Sequence, residues 1–164
     1  QYNNELDVIL LPCFSSVNTN KILYSINGGP FFVAPTTATG NDFISATPFT
    51  INQNYSNPTL NRSGFVVITN NAINSSTKAI IIEFVGTTPV VVERNLSNKN
   101  YFGVKYGNGR LVLADAGGTL EQSFNFAETI AIYDNKVPAS TFDLAFGGNK
   151  FIMCGGYQST PLFT

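Results

Sequence analysis

Short strand-forming runs separated by turn residues are the feature that most constrains the fold of this 164-residue chain. β-Branched and aromatic residues cluster roughly every 10 to 15 residues, with Gly, Asn, Pro and Thr between the clusters. No window keeps the 3.6-residue spacing of an amphipathic helix. The pattern predicts an all-β protein with almost no helix, and the length fits one domain with its own hydrophobic core.

The strand-like runs fall at thirteen places along the chain. Each is short, rich in Val, Ile, Phe or Tyr, and bounded by residues that favour turns. The predicted strands are residues 6–11, 22–26, 31–34, 43–51, 65–69, 79–85, 90–93, 101–106, 111–114, 123–126, 130–133, 142–146 and 150–154.

Three segments, at 22–34, 102–114 and 142–154, align with one another without gaps. Each has an apolar strand, a turn of Gly and Asn, and a second apolar strand. Gly and Asn tolerate the positive φ that tight hairpin turns require, so the alignment predicts three similar β-hairpins. A fourth segment, at 80–92, has the same outline.

The phrase GRLVLADAGGT at 109–119, followed by SFNF at 123–126, resembles the repeat of β-trefoil and ricin-type lectin domains. That resemblance implies a trefoil fold and sugar binding. A trefoil also needs a clean hairpin repeat near residue 62, which the sequence lacks. We therefore expect an antiparallel β-sandwich with Greek-key or jelly-roll connections first, and a β-trefoil second.

Composition narrows the possible chemistry. Charged residues make up 12% of the chain and the net charge is −1, with no basic cluster, so neither nucleic acid nor an anionic membrane is an expected partner. The chain has no His, which removes the commonest general base and transition-metal ligand. We expect no catalytic residue, no cofactor and no metal ligand, and hence a protein that is not an enzyme.

The carboxylates that would test this expectation are Asp115 and Glu121, which flank the Gly117–Gly118 turn. A glycosidase needs two carboxylates facing each other across a cleft. We expect this pair to lie in a solvated loop instead. The oxygen-rich pairs Asn41–Asp42 and Asp134–Asn135 lack the dense ligand spacing of a calcium loop.

Two cysteines, Cys13 and Cys154, lie near opposite ends of the sequence. Their separation does not fit a CxxC redox or zinc motif, so a disulfide is the first interpretation and two buried free thiols the alternative. The domain prediction follows from the disulfide: residues 1–12 form an N-terminal strand or extension, and residues 13–164 form a single β domain closed by Cys13–Cys154.

Several features favour a secreted, extracellular glycoprotein. The chain begins at Gln1, and its first apolar run is too short for a signal peptide or a membrane span, as in a processed chain. Asn-X-Ser sequons, which are N-glycosylation acceptors in secreted proteins, lie in polar, turn-like stretches. The four predicted glycosylation sites are Asn54, Asn61, Asn74 and Asn95.

The stretch from Ala79 to Val92 is the most hydrophobic strand-forming part of the chain. Such a strand at a sheet edge favours pairing with another chain, whereas the alternative is a central strand buried on both faces. Residues 1–12 would dock as a strand in their own sheet or in a neighbour's. The residues expected at the assembly edge are Leu6, Val8, Leu10, Ile80, Ile82 and Val91.

The leading functional hypothesis is therefore a structural or adhesive subunit of an extracellular filament, wall or coat, with copies of itself or other extracellular proteins as partners. A lectin-like module that binds glycans is the alternative, with sugar-stacking candidates Tyr24, Tyr55, Tyr101, Tyr106 and Tyr157. A third hypothesis is a secreted inhibitor or toxin-like domain that would use the Gly86–Pro89 loop.

Overall fold

The structure is a computed structural model that describes residues 2–3, 7–13, 21–36, 42–51, 62–70, 77–97, 99–115, 119–127, 130–133 and 141–155. Within these ranges the chain is all-β. Its strands are β1 (Tyr2–Asn3), β2 (Val8–Cys13), β3 (Lys21–Ile26), β4 (Phe31–Val33), β5 (Asp42–Ile51), β6 (Arg62–Asn70), β7 (Lys78–Val85), β8 (Thr88–Asn95), β9 (Tyr101–Gly107), β10 (Arg110–Asp115), β11 (Leu120–Ser123), β12 (Ala131–Tyr133), β13 (Thr141–Gly147) and β14 (Lys150–Gly155).

The strands form four antiparallel units that follow one another along the chain. Sheet A contains β1 to β4, sheet B β5 to β8, sheet C β9 to β12, and hairpin D β13 and β14. The prediction of an antiparallel, sandwich-like all-β fold is confirmed. The Greek-key or jelly-roll connections are not seen in these units, because neighbouring strands in each sheet are consecutive in sequence, as in a meander.

Sheet B lies at the centre of the packing and is buried on both faces. Its strands alternate between two cores, because successive side chains of a strand point to opposite faces. Phe65 and Ile82 pack against sheet A, around Leu10. Val66 and other residues on the opposite face pack against sheet C, around Leu111.

Hairpin D covers the other face of sheet C. Leu144 joins Val112 in a third core cluster, with Met153 packed against it. β13 approaches β9 closely because β9 has glycines where the strands meet: a Cβ on Gly107 would lie 2.5 Å from the ring of Phe146. The four units are therefore stacked face to face in the order A, B, C, D.

Corresponding strands of sheets B, C and D run in the same direction. The backbone N–H of Val104 donates to Ser45 Oγ and that of Tyr106 to Thr47 Oγ1, at 3.3 and 3.2 Å, so β5 and β9 advance together. Likewise, Gly103 of β9 faces Leu144 and Gly107 faces Phe146, so β13 follows the same direction.

Sheets A and B are aligned in the same way. Tyr24 contacts the rings of both Phe32 on β4 and Phe84 on β7, with centroid distances of 5.7 and 5.3 Å. Three residues after the end of β4, Thr36 Oγ1 donates to Glu93 Oε1 at 2.9 Å, near the end of β8. Because Phe84 pairs with Pro89 at the start of β8, β4 and β8 run in the same direction.

The glycine-turned hairpins predicted from the sequence are confirmed. The aligned segments form β3–β4, β9–β10 and β13–β14, and residues 80–92 form β7–β8. Asn108 and Gly109 turn one hairpin with φ of 49° and 71°, values that Asn and Gly tolerate best. β3–β4 and β7–β8 are the last two strands of their sheets, whereas β9–β10 are the first two strands of sheet C and β13–β14 make up hairpin D, so the aligned hairpins are not the equivalent repeats of the trefoil that the resemblance implied.

Candidate functional site

The outer face of sheet A is an exposed apolar surface at one end of the stack. Leu11, Leu23 and Val33 lie side by side across β2, β3 and β4, and Phe31 extends the surface along β4. Phe31 and Val33 are 50% and 52% exposed. Every inner face of the stack is covered by the next sheet, whereas no described strand covers this outer face, which is also built from apolar strand residues.

Hairpin D has the corresponding face at the other end of the stack. Leu144 and Met153 point towards sheet C, so their neighbours Ala145 and Ile152, which pair across the hairpin, point outwards. Ile152 is 54% exposed. The two ends of the stack therefore both present apolar strand residues.

Each end face carries one basic and one acidic residue at its rim. The order of the two charges along the strand direction is reversed between the two faces. On sheet A, the exposed Lys21 lies at the start of β3 and Asp7 beside its end. On hairpin D, the exposed Asp143 lies near the start of β13 and Lys150 beside its end. If hairpin D packed on a sheet A with β13 and β3 in the same direction, as elsewhere in the stack, Lys21 and Asp143 would lie at one end of the contact, and Asp7 and Lys150 at the other.

Four of the residues predicted at the assembly edge lie in the core. Val8, Leu10, Ile80 and Ile82 are buried in the core between sheets A and B, and Val91 packs against that core. β2 and β7 are not edge strands, because β2 pairs with β1 and β3 and β7 pairs with β6 and β8, whereas Val91 lies on β8, an edge strand of sheet B. The alternative, a central strand buried on both faces, is correct for β7. Leu6 lies outside the described residues.

A pocket of about 330 Å³ opens between sheets B and C. Two of its lining rings, Tyr106 and Phe126, are held by aromatic contacts: Tyr106 stacks on Phe126 at a centroid distance of 5.6 Å with an interplanar angle of 12°, and Phe49, outside the lining, contacts Phe126 at 4.5 Å. The residues that line the pocket are Ile51, Arg62, Arg94, Tyr106, Gly109, Phe124, Asn125 and Phe126.

The charged groups of the pocket are arranged around Arg62. Its guanidinium donates to both carboxylate oxygens of Glu83, and its Cζ lies 5.4 Å from the centroid of the Phe126 ring. Burial raises the pKa of the Tyr106 phenol, although the charge of Arg62 acts in the opposite direction. Tyr106 is therefore a neutral hydroxyl at physiological pH, able to donate or accept a hydrogen bond.

A second cluster of polar residues, separate from the pocket, contains Asp115 and Glu121. The expectation that these carboxylates lie in a solvated loop was wrong. Glu121 is 1% exposed, and Asp115 is also buried. Lys99 Nζ lies 2.6 Å from Glu121 Oε1 and 3.7 Å from Asp115 Oδ2. The Tyr101 hydroxyl donates to Glu121 Oε2 at 2.5 Å, and Ser97 Oγ lies 2.6 Å from that hydroxyl.

The protonation of this cluster follows from its contacts. Burial lowers the pKa of Lys99, but its hydrogen bond to Glu121 and the charges of Glu121 and Asp115 outweigh that effect, so the pKa is raised overall. Burial and the hydrogen bond to Glu121 raise the pKa of the Tyr101 phenol well above its usual range. The carboxylates are engaged by groups of the protein itself, whereas a glycosidase needs them to face a substrate.

The remaining candidates are placed as follows. Asn95 is exposed at the end of β8, whereas Asn54, Asn61 and Asn74 lie outside the described residues. Cys13 and Cys154 lie on β2 and β14, but their side chains are not described, and neither is any geometry between them. Asp42 begins β5, and Asn41, Asp134 and Asn135 fall in undescribed segments.

Of the predicted sugar-stacking tyrosines, Tyr106 lines the pocket. Tyr24 and Tyr101 are buried, and Tyr55 and Tyr157 are not described. The Gly86–Pro89 loop is the turn and first residues of the β7–β8 hairpin. Across the described ranges, no group of three or more His, Cys, Asp or Glu side chains could hold a metal, and no helix is long and apolar enough to span a membrane.

Sequence reasoning did not identify the other polar and aromatic groups of the pocket, Arg62, Arg94, Phe124 and Asn125. They come from β6, β8 and the segment after β11, so no linear motif joins them. One signal was available: Phe124 and Asn125 belong to the SFNF phrase, in which an aromatic residue stands between polar ones.

Comparison of the chain with protein-family models, with curated proteins and with solved structures found no match.

Proposed function

We propose that this protein is a non-enzymatic, secreted structural or adhesive subunit whose copies associate end to end, with the outer face of sheet A of one copy packed against the outer face of hairpin D of the next. The observation that carries the proposal is the apolar row Leu11, Leu23 and Val33 on the outer face of sheet A, in which Leu11 and Val33 are exposed, as is the neighbouring Phe31, on a sheet whose opposite face is buried. Contiguous exposed apolar surface of this kind marks interaction sites.

The packing inside the stack supports a sheet as the partner of this face. Sheets A, B and C and hairpin D already pack on one another through apolar strand residues, with corresponding strands in the same direction. β-Propellers repeat four-stranded sheets in a similar way around a central channel. Hairpin D of a second copy, placed on the outer face of sheet A, would continue this face-to-face packing of sheets.

Charge complementarity between the two end faces supports a second copy of the chain as the partner that covers sheet A. In the shared strand direction, Lys21 of one copy lies at the same end of the contact as Asp143 of the next, and Asp7 lies at the same end as Lys150. Complementary charges at the rim of an interface favour one register and disfavour others. Because the two faces differ, the contact is heterologous and produces a filament or a closed ring.

The other parts of the proposal rest on the sequence and on the second polar cluster. The sequons indicate a secreted glycoprotein, and the exposed position of Asn95 leaves room for a glycan at that site. The non-enzymatic part rests on the lack of His in the chain and on the engagement of Asp115 and Glu121 by Lys99.

Sedimentation velocity across a wide concentration range tests the proposal. We expect species larger than the monomer to grow with concentration, and Val33→Ser and Ile152→Ser each to weaken the association about tenfold. Val85→Ser is the matched control, since it removes an exposed valine from the β7–β8 hairpin, away from both end faces. A monomer at every concentration would contradict the proposal.

A further inference from the structure

We propose that end-to-end association closes into a ring of two copies around a central channel and does not continue as a filament. This ring rests on the proposed function, because it uses the same contact between the outer face of sheet A and the outer face of hairpin D. The observation that carries it is a taper inside the stack: neighbouring sheets lie closer together at their first strands than at their second strands.

Sheets B and C are one side chain apart where their first strands, β5 and β9, meet. Ser45 Oγ and Thr47 Oγ1 of β5 lie 3.3 and 3.2 Å from backbone nitrogens of β9. At the second strands, β6 and β10, side chains from both sheets fill the space, with Val66 and Ile68 on one side and Leu111 on the other. Sheets filled from both sides in this way lie about 10 Å apart. The two sheets therefore diverge away from β5 and β9.

Sheet C and hairpin D show the same taper. Gly103 and Gly107 leave β9 without side chains where β13 approaches, and a Cβ on Gly103 would lie 3.2 Å from the Cβ of Leu144. At the second strands, β10 and β14, side chains from both partners lie between the backbones, since Arg110 Cζ is 5.2 Å from the centroid of the Phe151 ring. Two successive contacts thus taper towards the same side, that of β5, β9 and β13.

Successive tapers on one side bend the stack around an axis that lies beside β5, β9 and β13. Corresponding strands of these sheets run in the same direction, so each unit turns the stack further in the same sense. The sheets of a β-propeller return on themselves around a central channel in this way. A heterologous contact produces a ring when its rotations complete a full turn, so the curvature favours a ring over a filament.

The number of copies follows from the number of units in each. β-Propellers usually contain about four to eight sheets. One copy supplies four units, sheets A to C and hairpin D, and it is open because Phe31, Val33 and Ile152 on its end faces are exposed. Two copies supply twice four, which reaches the upper end of that range, and three copies would exceed it. Two copies related by a twofold axis make the same contact twice and cover all four end faces.

Native mass spectrometry over a wide range of concentration, on protein freed of any N-glycan, tests the ring. We expect monomer and dimer, with the dimer as the largest species at the highest concentration. Trimers and longer species would overturn the ring and leave end-to-end association standing. A monomer at every concentration would contradict both proposals, so the two failures are distinguishable.

The strength of the dimer tests whether it contains two contacts. A mixture of Val33→Asp and Ile152→Asp can form one intact contact, whereas the wild-type ring forms two. Because the second contact forms within the dimer, we expect the wild-type dissociation constant to be at least about a hundredfold lower than that of the mixture. Val85→Asp is the matched control and should match the wild type, since Val85 is exposed on the β7–β8 hairpin, away from both end faces. Equal dissociation constants for the mixture and the wild type would overturn the ring.

Discussion

The Glu121 carboxylate, buried on β11, lies 2.6 Å from the ammonium nitrogen of Lys99, which precedes β9. β10 separates β9 from β11 in sheet C, so the pair bridges across the strand between them. Tyr101 of β9 bonds the same carboxylate. The cluster therefore ties the first and third strands of sheet C together, next to the core that joins this sheet to sheet B.

Removing Lys99 should destabilise the fold strongly. Lys99→Met leaves the Glu121 carboxylate buried without its cation, and breaking such a pair costs about 3 kcal/mol or more. Chemical denaturation at neutral pH measures the loss. Lys105→Met, which removes an ammonium group from β9 outside the cluster, should change the unfolding free energy by less than about 1 kcal/mol. Equal losses in the two variants would show that the pair has no special role.

The same cluster should make the protein lose stability at alkaline pH. The pKa of Lys99 and that of Tyr101 are both raised in the folded state above reference values of 10.5 and 10.0. A group whose pKa is raised by folding contributes stability that is complete below its unfolded pKa and is lost as pH rises through the folded pKa. We therefore expect the unfolding free energy to fall as pH rises above about 10.

Tyr101→Phe identifies the origin of this alkaline loss. The variant should be less stable at pH 7 by about 1 kcal/mol, because it lacks the hydrogen bond to Glu121. Its stability should also fall less steeply above pH 10, since one of the two raised groups is gone. Urea unfolding between pH 8 and 11 gives both quantities. An unchanged alkaline slope would mean that Tyr101 titrates as it does in the unfolded chain.

Close packing of β9 and β13 should make Gly107 intolerant of a side chain. A Cβ at this position would lie 2.5 Å from ring atoms of Phe146, whereas one at Gly147 meets nothing within 4 Å. We expect Gly107→Ala to destabilise the protein by about 1–3 kcal/mol and Gly147→Ala to change its stability by less than 1 kcal/mol. A double-mutant cycle with Phe146→Ala should show coupling, and additivity would contradict the close contact.

The charges at the rim of the end faces should set the strength of association. Lys21→Glu places two acidic groups at the same end of the proposed contact and should weaken association about tenfold at low salt. Adding Asp143→Lys in the same chain restores opposite charges and should recover most of that loss. Sedimentation equilibrium at low and high salt gives the constants. No recovery in the double variant would rule out the proposed register.

Strands and hairpins were largely predictable because they depend on local patterns. The alternation of apolar and polar residues, together with turns rich in Asn and Gly, predicted the ends of the strands in the β3–β4, β9–β10 and β13–β14 hairpins to within one or two residues. β11 was predicted at 123–126 but lies at Leu120–Ser123. Its buried side chains include Glu121 and Gln122, whose polar groups are paired with Lys99, just before β9, and Arg110, on β10, so no local apolar pattern marks it.

The candidate sites were less predictable because they depend on how the sheets stack. Ile80 and Ile82 belong to a hydrophobic strand of the kind that pairs with other chains when it lies at a sheet edge. They are core residues because β7 lies between two partner strands, β6 and β8. Arg62 and Phe124 meet only because sheet C packs on sheet B. Asp115 and Glu121 were identified as a pair from the turn between them, but their burial by Lys99 was not visible in the sequence.

A mixing experiment tests end-to-end association most directly. Val33→Asp blocks the outer face of sheet A, and Ile152→Asp blocks the outer face of hairpin D, so each variant alone retains one intact face. We predict that each variant sediments as a monomer and that an equimolar mixture forms a 1:1 heterodimer and nothing larger. A mixture that stays monomeric, or either variant that still forms long assemblies alone, would contradict the account.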